Sequence, residues 1–346
     1  MTNNQNKKTT YKDAGVNLEE SQFVKDNIKY LANKTYNPSV LGGVGGFGAI
    51  FKLKNYQSPI LVSSTDPVGT KLMVAKQADN FSNIGIDLVN ACVNDIIVLG
   101  ADPLFFLDYI ATSKINNQTV QTIIEGIANT CQEIGCALIG GETSEMPGVF
   151  KKDNFDISGF VVGAVEEESL LDPKSTINVG DILIALPSNG LHTNGYSLVR
   201  HIYNLDDNPK PLFEYVSELG ETLGDALLRP HPSYYHDIFS VIDDLKGIAH
   251  ITGGGIYENL PRILPEHTSA IVDASSWEIP GLFKLIQNKG KIEINEMYRV
   301  YNMGIGMILV CDKKHVSKIN SLLKDSFIIG EVCDKGNNPL IEIINQ

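Results

Sequence analysis

The sequence predicts two domains in which strands and helices intermingle, of the α/β or the α+β class. At 346 residues the chain exceeds the usual size of a single hydrophobic core. Strand-like and helical patterns alternate in both halves, and a charged, turn-rich stretch at 166–181 separates them. We place the domain boundary there, which predicts a disordered polar tail at 1–10, an N-terminal domain at 11–170 and a C-terminal domain at 171–346.

The elements of the N-terminal half follow from their residue patterns in chain order. A mixed polar and apolar stretch predicts a helix at 21–35, and a glycine-rich segment at 42–48 precedes an apolar strand. Apolar residues from Val120 to Ile134 recur at helical spacing, and a further helix is predicted at 87–99. Apolar runs predict strands at 60–63, 103–110, 136–139 and 157–165.

The C-terminal half repeats this mixture. Strands are predicted at 182–186, 269–272 and 305–310. Between them lie a glycine-bearing loop at 187–198, a proline-rich hinge "RPHPSYY" at 229–235 and the loop "ITGGGIYENL" at 251–260. These patterns alone do not choose between the two classes.

The composition limits the partners that the chain can have. Asp and Glu number 41 against 28 Lys and Arg, a net charge of −13 with no basic block, which argues against nucleic acid. No apolar segment approaches the roughly 20 residues of a membrane helix, so we expect no membrane partner and a cytoplasmic location. We interpret the five cysteines as reduced residues of the core, and not as disulfide partners or metal ligands. They are Cys92, Cys131, Cys136, Cys311 and Cys333.

The predicted helix at 87–99 has an unusual polar edge. Asp87, Asn90 and Asn94 share one face, and Asp95 lies next to it. Asp and Asn form helices less well than the Lys and Glu that usually cover a solvated face. The sequence leaves two interpretations open: an exposed polar stripe, or short side chains that hold a site.

Three carboxylates lie beside glycine or asparagine at the ends or edges of predicted elements. Asp66 follows a strand in "STDPVGTK", Asp95 belongs to the polar edge, and Glu142 follows a strand in "LIGGETSEMPG". Oxygen ligands of this kind suit Mg²⁺, which leaves positions for water and substrate phosphates. The glycine-rich segments 42–49 and 252–255 would let backbone N–H groups approach a phosphate. No G-x-x-x-x-G-K-[ST] phosphate loop is present.

Taken together, these segments resemble the phosphoribosylformylglycinamidine cyclo-ligase family, the aminoimidazole ribonucleotide synthetases. The resemblance runs through nearly the whole chain in order. The segments that carry it are "YKDAGV" at 11–16, "GGFGA" at 45–49, "STDPVGTK" at 64–71, "GIDLVNACVNDIIVLGADPLFFLDYIAT" at 85–112, "GGETSEMPG" at 140–148, "GLHTNGYSLVR" at 190–200, "ITGGGIYENLPRILP" at 251–265 and "EMYRVYNMGIGM" at 296–307.

The resemblance implies a fold and a reaction. The fold is α+β, with an N-terminal mixed sheet that pairs across a homodimer and a C-terminal α/β domain that completes the substrate cleft. ATP and Mg²⁺ belong to the N-terminal domain. The reaction is ATP-dependent ring closure of formylglycinamidine ribonucleotide to aminoimidazole ribonucleotide, with release of ADP and phosphate, in purine biosynthesis.

The resemblance also implies roles for individual residues. Asp66, Asp95 and Glu142 are expected to hold Mg²⁺, and His192, Lys71 and Asp95 to take part in catalysis. The other six histidines are expected to be structural or surface residues. The expected ATP and phosphate contacts are Gly45, Gly46, Phe47, Gly48, Gly69, Thr70, Lys71, Asn94, Gly140 and Gly141. The expected contacts to the phosphorylated ribonucleotide are Asn189, His192, Thr193, Asn194, Gly253 and Gly254.

Two positions depart from the family pattern, and two other interpretations stay open. Pro67 stands where the family usually has glycine, which removes one N–H donor, and Ser233 stands where it usually has threonine. Kinases and synthetases of the same superfamily phosphorylate other acceptors. Some of these enzymes need a cysteine early in the chain or at its end. This chain does not have one, since no cysteine precedes Cys92. A non-catalytic nucleotide-binding subunit is the other alternative.

Overall fold

The computed structural model describes residues 18–346, with side chains from residue 26 onward. The predicted tail at 1–10 and the segment 11–16 lie outside the described residues. The elements up to the predicted boundary are α1 Leu18–Asn33, β1 Val40–Gly42, β2 Ile50–Phe51, β3 Pro59–Pro67, α2 Lys71–Ala78, α3 Ile84–Ile97, β4 Asp102–Thr112, α4 Asn117–Glu133, β5 Ala137–Glu145 and β6 Phe155–Glu166.

The second half of the chain contains further helices and strands. They are α5 Pro173–Thr176, β7 Ile182–Pro187, α6 Tyr196–Ile202, β8 Tyr215–Val216, β9 Glu221–Thr222, α7 Leu223–Leu227, α8 Tyr235–Phe239, β10 Leu245–His250, α9 Gly255–Asn259, β11 Thr268–Asp273, α10 Gly281–Gly290, α11 Ile294–Val300, β12 Ile305–Cys311, α12 Val316–Leu322, β13 Phe327–Asp334 and β14 Ile341–Ile344.

Two mixed sheets organise the chain. The first has the strand order β3-β6-β4-β5 and the second the order β10-β12-β7-β13-β11-β14. Each sheet is antiparallel apart from one parallel pair, β4 with β5 and β11 with β14. Since each sheet is largely antiparallel, the fold is of the α+β class, as the resemblance implies. The predicted boundary at 170/171 lies between the two sheets and stays a prediction.

Helix α3 is the centre of the N-terminal half. It packs on β3, β4 and β6 with one side and on α4 with another, and nearly all its residues are buried. A helix that is buried all round needs partners on every face. Gly85 permits the contact with α4, because a Cβ atom there would lie 2.1 Å from the carbonyl oxygen of Ile123.

The opposite face of the N-terminal sheet carries exposed apolar side chains. Leu61 on β3 is 62% exposed and Phe160 on β6 is 41% exposed. These residues alternate with half-buried residues along β3 and with buried residues along β6, as expected for a sheet that one layer of helices covers. One face of this sheet is therefore open in the single chain.

Most predicted elements are confirmed, with one systematic error. The strands predicted at 60–63 and 136–139 are too short, because β3 continues to Pro67 and β5 to Glu145. Asp66 and Glu142 therefore lie within strands instead of following them. Pro67 is tolerated because β3 is an edge strand that pairs with β6 alone. All five cysteines are free, and all but Cys333 are fully buried, as predicted.

Candidate active site at the domain interface

The polar edge of α3 is buried against the hinge segment, residues 229–235 of the second half. Asp87 accepts a hydrogen bond from the backbone N–H of His231 at 2.7 Å, and Asn90 donates to the carbonyl oxygen of His231 at 2.7 Å. Asn94 donates to the Pro232 carbonyl at 3.0 Å and accepts from the Tyr234 N–H at 3.2 Å. The polar edge therefore binds the hinge backbone, and the interpretation as an exposed stripe is wrong for Asp87, Asn90 and Asn94.

Lys71 forms a buried ion pair with this edge. Its ammonium lies 2.7 Å from the Asp87 carboxylate, with both side chains fully buried, and it donates to the Arg229 carbonyl at 2.7 Å. Burial lowers the pKa of Lys71 and raises the pKa of Asp87, and each charge opposes the shift of the other. The predicted contact between Lys71 and a phosphate stays a prediction, and this buried pairing counts against it.

Asp66 and Asp95 form a carboxylate pair at the edge of the N-terminal sheet. Burial raises the pKa of Asp66 to about 6, the nearby Asp95 charge adds to this shift, and His250 opposes it. Ser64 lies on the same face of β3 as Asp66 and donates to Asp95 at 3.0 Å. Asp95 is 38% exposed, so this pair faces the solvent side of the domain interface.

Three histidines from the second half, which we call the histidine cluster, meet behind this pair. They are His192, His231 and His250, all buried. His250 Nδ1 lies 2.8 Å from Asp95 Oδ1, and His250 Nε2 lies 3.2 Å from His231 Nε2. The ring of His192 stacks on that of His231, with centroids 4.0 Å apart and planes at 17°. Burial lowers the pKa of both His192 and His231 well below the usual value, and the charges of His250 and Lys71 add to this, which favours the neutral form of both rings.

The hydrogen bonds of Asn94 fix the tautomer of His231. The contacts with Tyr234 and Pro232 define which end of the Asn94 amide is the NH₂ group. That NH₂ group lies 3.1 Å from His231 Nε2, which must therefore accept. In a neutral His231 the proton is then on Nδ1, which has no hydrogen-bond partner in the part of the chain that the structure describes, and His250 Nε2, 3.2 Å away, is a second donor to the lone pair that Asn94 also approaches. One proton consequently lies between His250 Nδ1 and Asp95.

The histidine cluster is the one group of three or more His, Cys, Asp or Glu in residues 26–346 whose ligand atoms all lie within 4.8 Å of one another. Its geometry does not suit a metal ion. The stacked rings of His192 and His231 direct their in-plane lone pairs side by side instead of toward one point, and Asn94 already donates to the lone pair of His231. We interpret the cluster as a hydrogen-bonded unit.

The predicted substrate loop lies on the other side of the histidine cluster. His192 has a left-handed backbone with φ of 60°, and its Nε2 accepts from the Asn189 N–H at 3.3 Å. Asn194 lies against the second predicted loop. Its Oδ1 is so close to Gly253 that a Cβ atom added there would lie 3.0 Å away. Asn189, His192, Asn194 and Gly253 thus lie together, with Thr193 and Gly254 adjacent in the chain, and their contacts with substrate stay predictions.

Glu142 is not part of the carboxylate pair, which corrects the predicted convergence of three carboxylates within one chain. Asp66 pairs with Gly159, Gly159 with Asp108 and Asp108 with Gly141, so β3 and β5 are opposite edges of the sheet. Glu142 follows Gly141 and points to the opposite face. It lies near Asp108, whose pKa burial raises to about 7 with a further contribution from Glu142.

The remaining predicted nucleotide contacts lie at separate places. Phe47 is fully exposed beside Gly45, Gly46 and Gly48. Gly69 has φ of 66° in the turn before α2, and the Thr70 hydroxyl lies 3.1 Å from the Ser197 hydroxyl of the second half. Gly140 and Gly141 lie within β5, where a Cβ on Gly141 would lie 2.4 Å from Asp108. Their phosphate contacts stay predictions.

Sequence reasoning missed His231, His250 and Ser64. The expectation that the other six histidines are structural or surface residues stays a prediction, but His231 and His250 are buried between the predicted site residues Asp95 and His192 and connect them. A signal was present for both histidines. His250 ends β10 immediately before the glycine loop at 252–255, and His231 stands between two prolines of the hinge segment.

Comparison with known proteins assigns both halves to one class. The family described as AIR synthase related protein, N-terminal domain, matches residues 48–165, and its C-terminal domain matches residues 178–341. The two matches in this order define a protein of the AIR synthase-related class.

The full-length relatives narrow this class. A phosphoribosylformylglycinamidine cyclo-ligase of Thermoanaerobacter pseudethanolicus is 49% identical over 329 residues, covering 94% of this chain and 97% of the relative. That of Caldicellulosiruptor bescii is 47% identical over 340 residues, covering 96% and 99%. The chain belongs to the phosphoribosylformylglycinamidine cyclo-ligase family.

Solved structures share the fold at much lower identity. A thiamine-monophosphate kinase from Stenotrophomonas maltophilia superposes with a TM-score of 0.68 at 16% identity, covering 93% of this chain and 95% of that one. A hydrogenase maturation protein HypE in complex with ATP superposes with a TM-score of 0.68 at 14% identity, covering 96% and 93%. These likenesses establish the two-domain fold.

No helix in residues 18–346 is long and apolar enough to cross a membrane.

The buried pair of Lys71 and Asp87 gives a prediction about stability. Lys71→Met leaves the Asp87 carboxylate buried without its counter-charge, so we expect a loss of about 3–5 kcal/mol in the free energy of unfolding. Lys71→Met combined with Asp87→Asn should recover most of this loss, because the amide oxygen of the new side chain still accepts from the His231 N–H. Urea unfolding followed by circular dichroism measures both.

The Michaelis constant for ATP in the double variant decides the role of Lys71. A KM close to that of the wild type is expected if Lys71 connects the domains. A large increase in KM, despite recovered stability, would restore the phosphate contact that the sequence predicts.

Proposed function

We propose that this chain catalyses the ATP-dependent ring closure of formylglycinamidine ribonucleotide to 5-aminoimidazole ribonucleotide, releasing ADP and phosphate, in de novo purine biosynthesis. The observation that carries the proposal is identity of 49% to a phosphoribosylformylglycinamidine cyclo-ligase over 94% of the chain. The geometry agrees, because a carboxylate pair from one domain and the loop of His192 from the other meet at one interface through His231 and His250.

The chemistry accounts for the kinds of residue in the site. An amide oxygen is a poor leaving group, and transfer of the γ-phosphoryl group of ATP to it produces ADP and an activated carbon. Attack by the ring-forming nitrogen on that carbon then expels phosphate, and the nitrogen loses a proton. Such a transfer depends on charge neutralisation and alignment more than on a protein nucleophile. We accordingly expect Asp66, Asp95 and His192 to orient the reactants from both sides of the interface.

The carboxylate pair fits a magnesium ion. Asp66, Asp95 and the Ser64 hydroxyl supply hard oxygen donors, and the raised pKa of Asp66 reflects burial and a neighbouring like charge that a divalent cation would offset. We propose that Asp66 and Asp95 hold Mg²⁺. When bound, the ion would neutralise charge on the ATP phosphates.

Two alternatives to this function are phosphoryl transfer to another acceptor and no catalysis at all. An assay of ADP release distinguishes them. ADP release is measured with ATP and Mg²⁺, in the presence and absence of formylglycinamidine ribonucleotide. Release that requires this ribonucleotide supports the proposal. Release that ignores it indicates a kinase of another acceptor, and no release indicates a non-catalytic subunit.

Asp66→Asn tests the carboxylate pair. We expect turnover to fall by roughly a hundredfold or more, because the loss of one charge weakens the neutralisation of the ATP phosphates. The melting temperature should be unchanged or higher, since a buried carboxylate next to Asp95 is replaced by a neutral group. Asp207→Asn, at an exposed position of the second half, is the matched control. An unchanged kcat in Asp66→Asn would remove this residue from the site.

We further propose that the chain forms a homodimer through the open face of its N-terminal sheet. Leu61 and Phe160 are exposed there, and apolar residues on a regular sheet surface are typical of an interface. Leu107 lies in the same register as Phe160, which extends the apolar face across neighbouring strands.

Leu61→Glu should convert a dimer into a monomer, because it buries a charge at the proposed interface. Light scattering coupled to size-exclusion chromatography measures the mass. Val179→Glu, at an apolar residue of the second half that is 53% exposed, should leave the mass unchanged. A monomeric wild-type protein, or a dimer that persists in Leu61→Glu, would contradict the proposal.

A further inference from the structure

His231 is held by one helix at three points. Its backbone N–H donates to Asp87, its carbonyl oxygen accepts from Asn90, and its ring Nε2 accepts from Asn94. The residue is fully buried and stands between Pro230 and Pro232, which restrict the backbone on both sides. Its position is therefore set by α3 of the first domain, although it belongs to the second.

The same ring contacts both sides of the proposed site. One face stacks on His192 at 4.0 Å, and Nε2 lies 3.2 Å from His250, which bonds Asp95. His192 has three other restraints besides the stacking: Tyr196 donates to its carbonyl oxygen, the Asn189 N–H bonds its ring, and the Tyr234 ring lies nearby. Its backbone is left-handed, its Nε2 accepts one hydrogen bond, and its buried Nδ1 has no hydrogen-bond partner among the described residues. The Tyr234 ring is tilted and its centroid lies 6.4 Å away, so His231 is the ring that stacks face to face on His192.

We propose that His231 is a positioning residue that aligns His192, on the substrate side, with the pair of Asp95 and His250 on the nucleotide side. This inference rests on the proposed ring-closure activity. His231 is fully buried, so it acts through its neighbours: stacking orients His192, and hydrogen bonding orients His250. The two contacts use different properties of one ring, so they can be separated by substitution.

Two variants make that separation. His231→Phe keeps a ring for His192 but offers no acceptor to Asn94 or His250. We expect kcat to fall roughly tenfold or more with little change in KM for the ribonucleotide. His231→Gln keeps an acceptor oxygen but no ring, and we expect KM for the ribonucleotide to rise roughly tenfold. His236→Phe and His236→Gln, at an exposed histidine just beyond the hinge segment, are the matched controls and should behave as the wild type.

A purely structural role predicts a different result. Both variants would then lose stability and keep the kcat and KM of the wild type, or would change both constants alike, and either outcome overturns the inference. A wild-type protein that shows no ribonucleotide-dependent ADP release overturns the proposed function instead. Failure of the variants and failure of the function are thus distinguishable.

A measurement on the wild-type protein keeps the inference testable if a variant does not fold. In ¹⁵N spectra of protein labelled at histidine, His231 should be neutral with its proton on Nδ1, because Asn94 occupies Nε2 as donor. Addition of the ribonucleotide should shift the signals of His192 and His231 together. A proton on Nε2 of His231, or a shift of His192 alone, would contradict the alignment.

Discussion

The structure depends on the hydrogen bonding between the polar edge of α3 and the backbone of the hinge segment. Asp87, Asn90 and Asn94 are buried, and each would carry an unsatisfied polar group if the hinge moved away. Such a group costs about 1–3 kcal/mol when buried without a partner. The two domains are therefore fixed relative to each other by directional contacts, and the residues of the site are placed by the same contacts.

The depth of each residue in the domain interface explains the distribution of charge in the site. The carboxylates Asp66 and Asp95 supply negative charge at the partly exposed end, where a cation and phosphates can reach them. Behind them, burial lowers the pKa of His192 and His231 and so favours their neutral forms. The interface thus combines a charged end suited to phosphoryl transfer with a fixed, neutral interior that orients the loop of His192.

Local sequence patterns predict features that depend on interactions between residues close together in the chain. The helical spacing from Val120 to Ile134 predicts α4, whereas the short polar side chains of α3 leave both an exposed stripe and a position-fixing edge open. Pairing across the sheet was not predictable in this way. Asp66 and Glu142 each lie within a strand and close to a glycine in the sequence, yet sheet order places them at opposite edges. Lys71 meets Asp87, and His231 meets His192, only because distant segments fold together, and the chain order carries no direct sign of such contacts.

A crystal structure with Mg²⁺, a non-hydrolysable ATP analogue and formylglycinamidine ribonucleotide tests the central claim most directly. We expect the phosphates of the nucleotide beside Asp66 and Asp95, the ribonucleotide against the loop of His192, and residues 229–235 still bonded to α3. Phosphates bound far from both carboxylates, or a hinge segment released from α3 in the complex, would contradict the account.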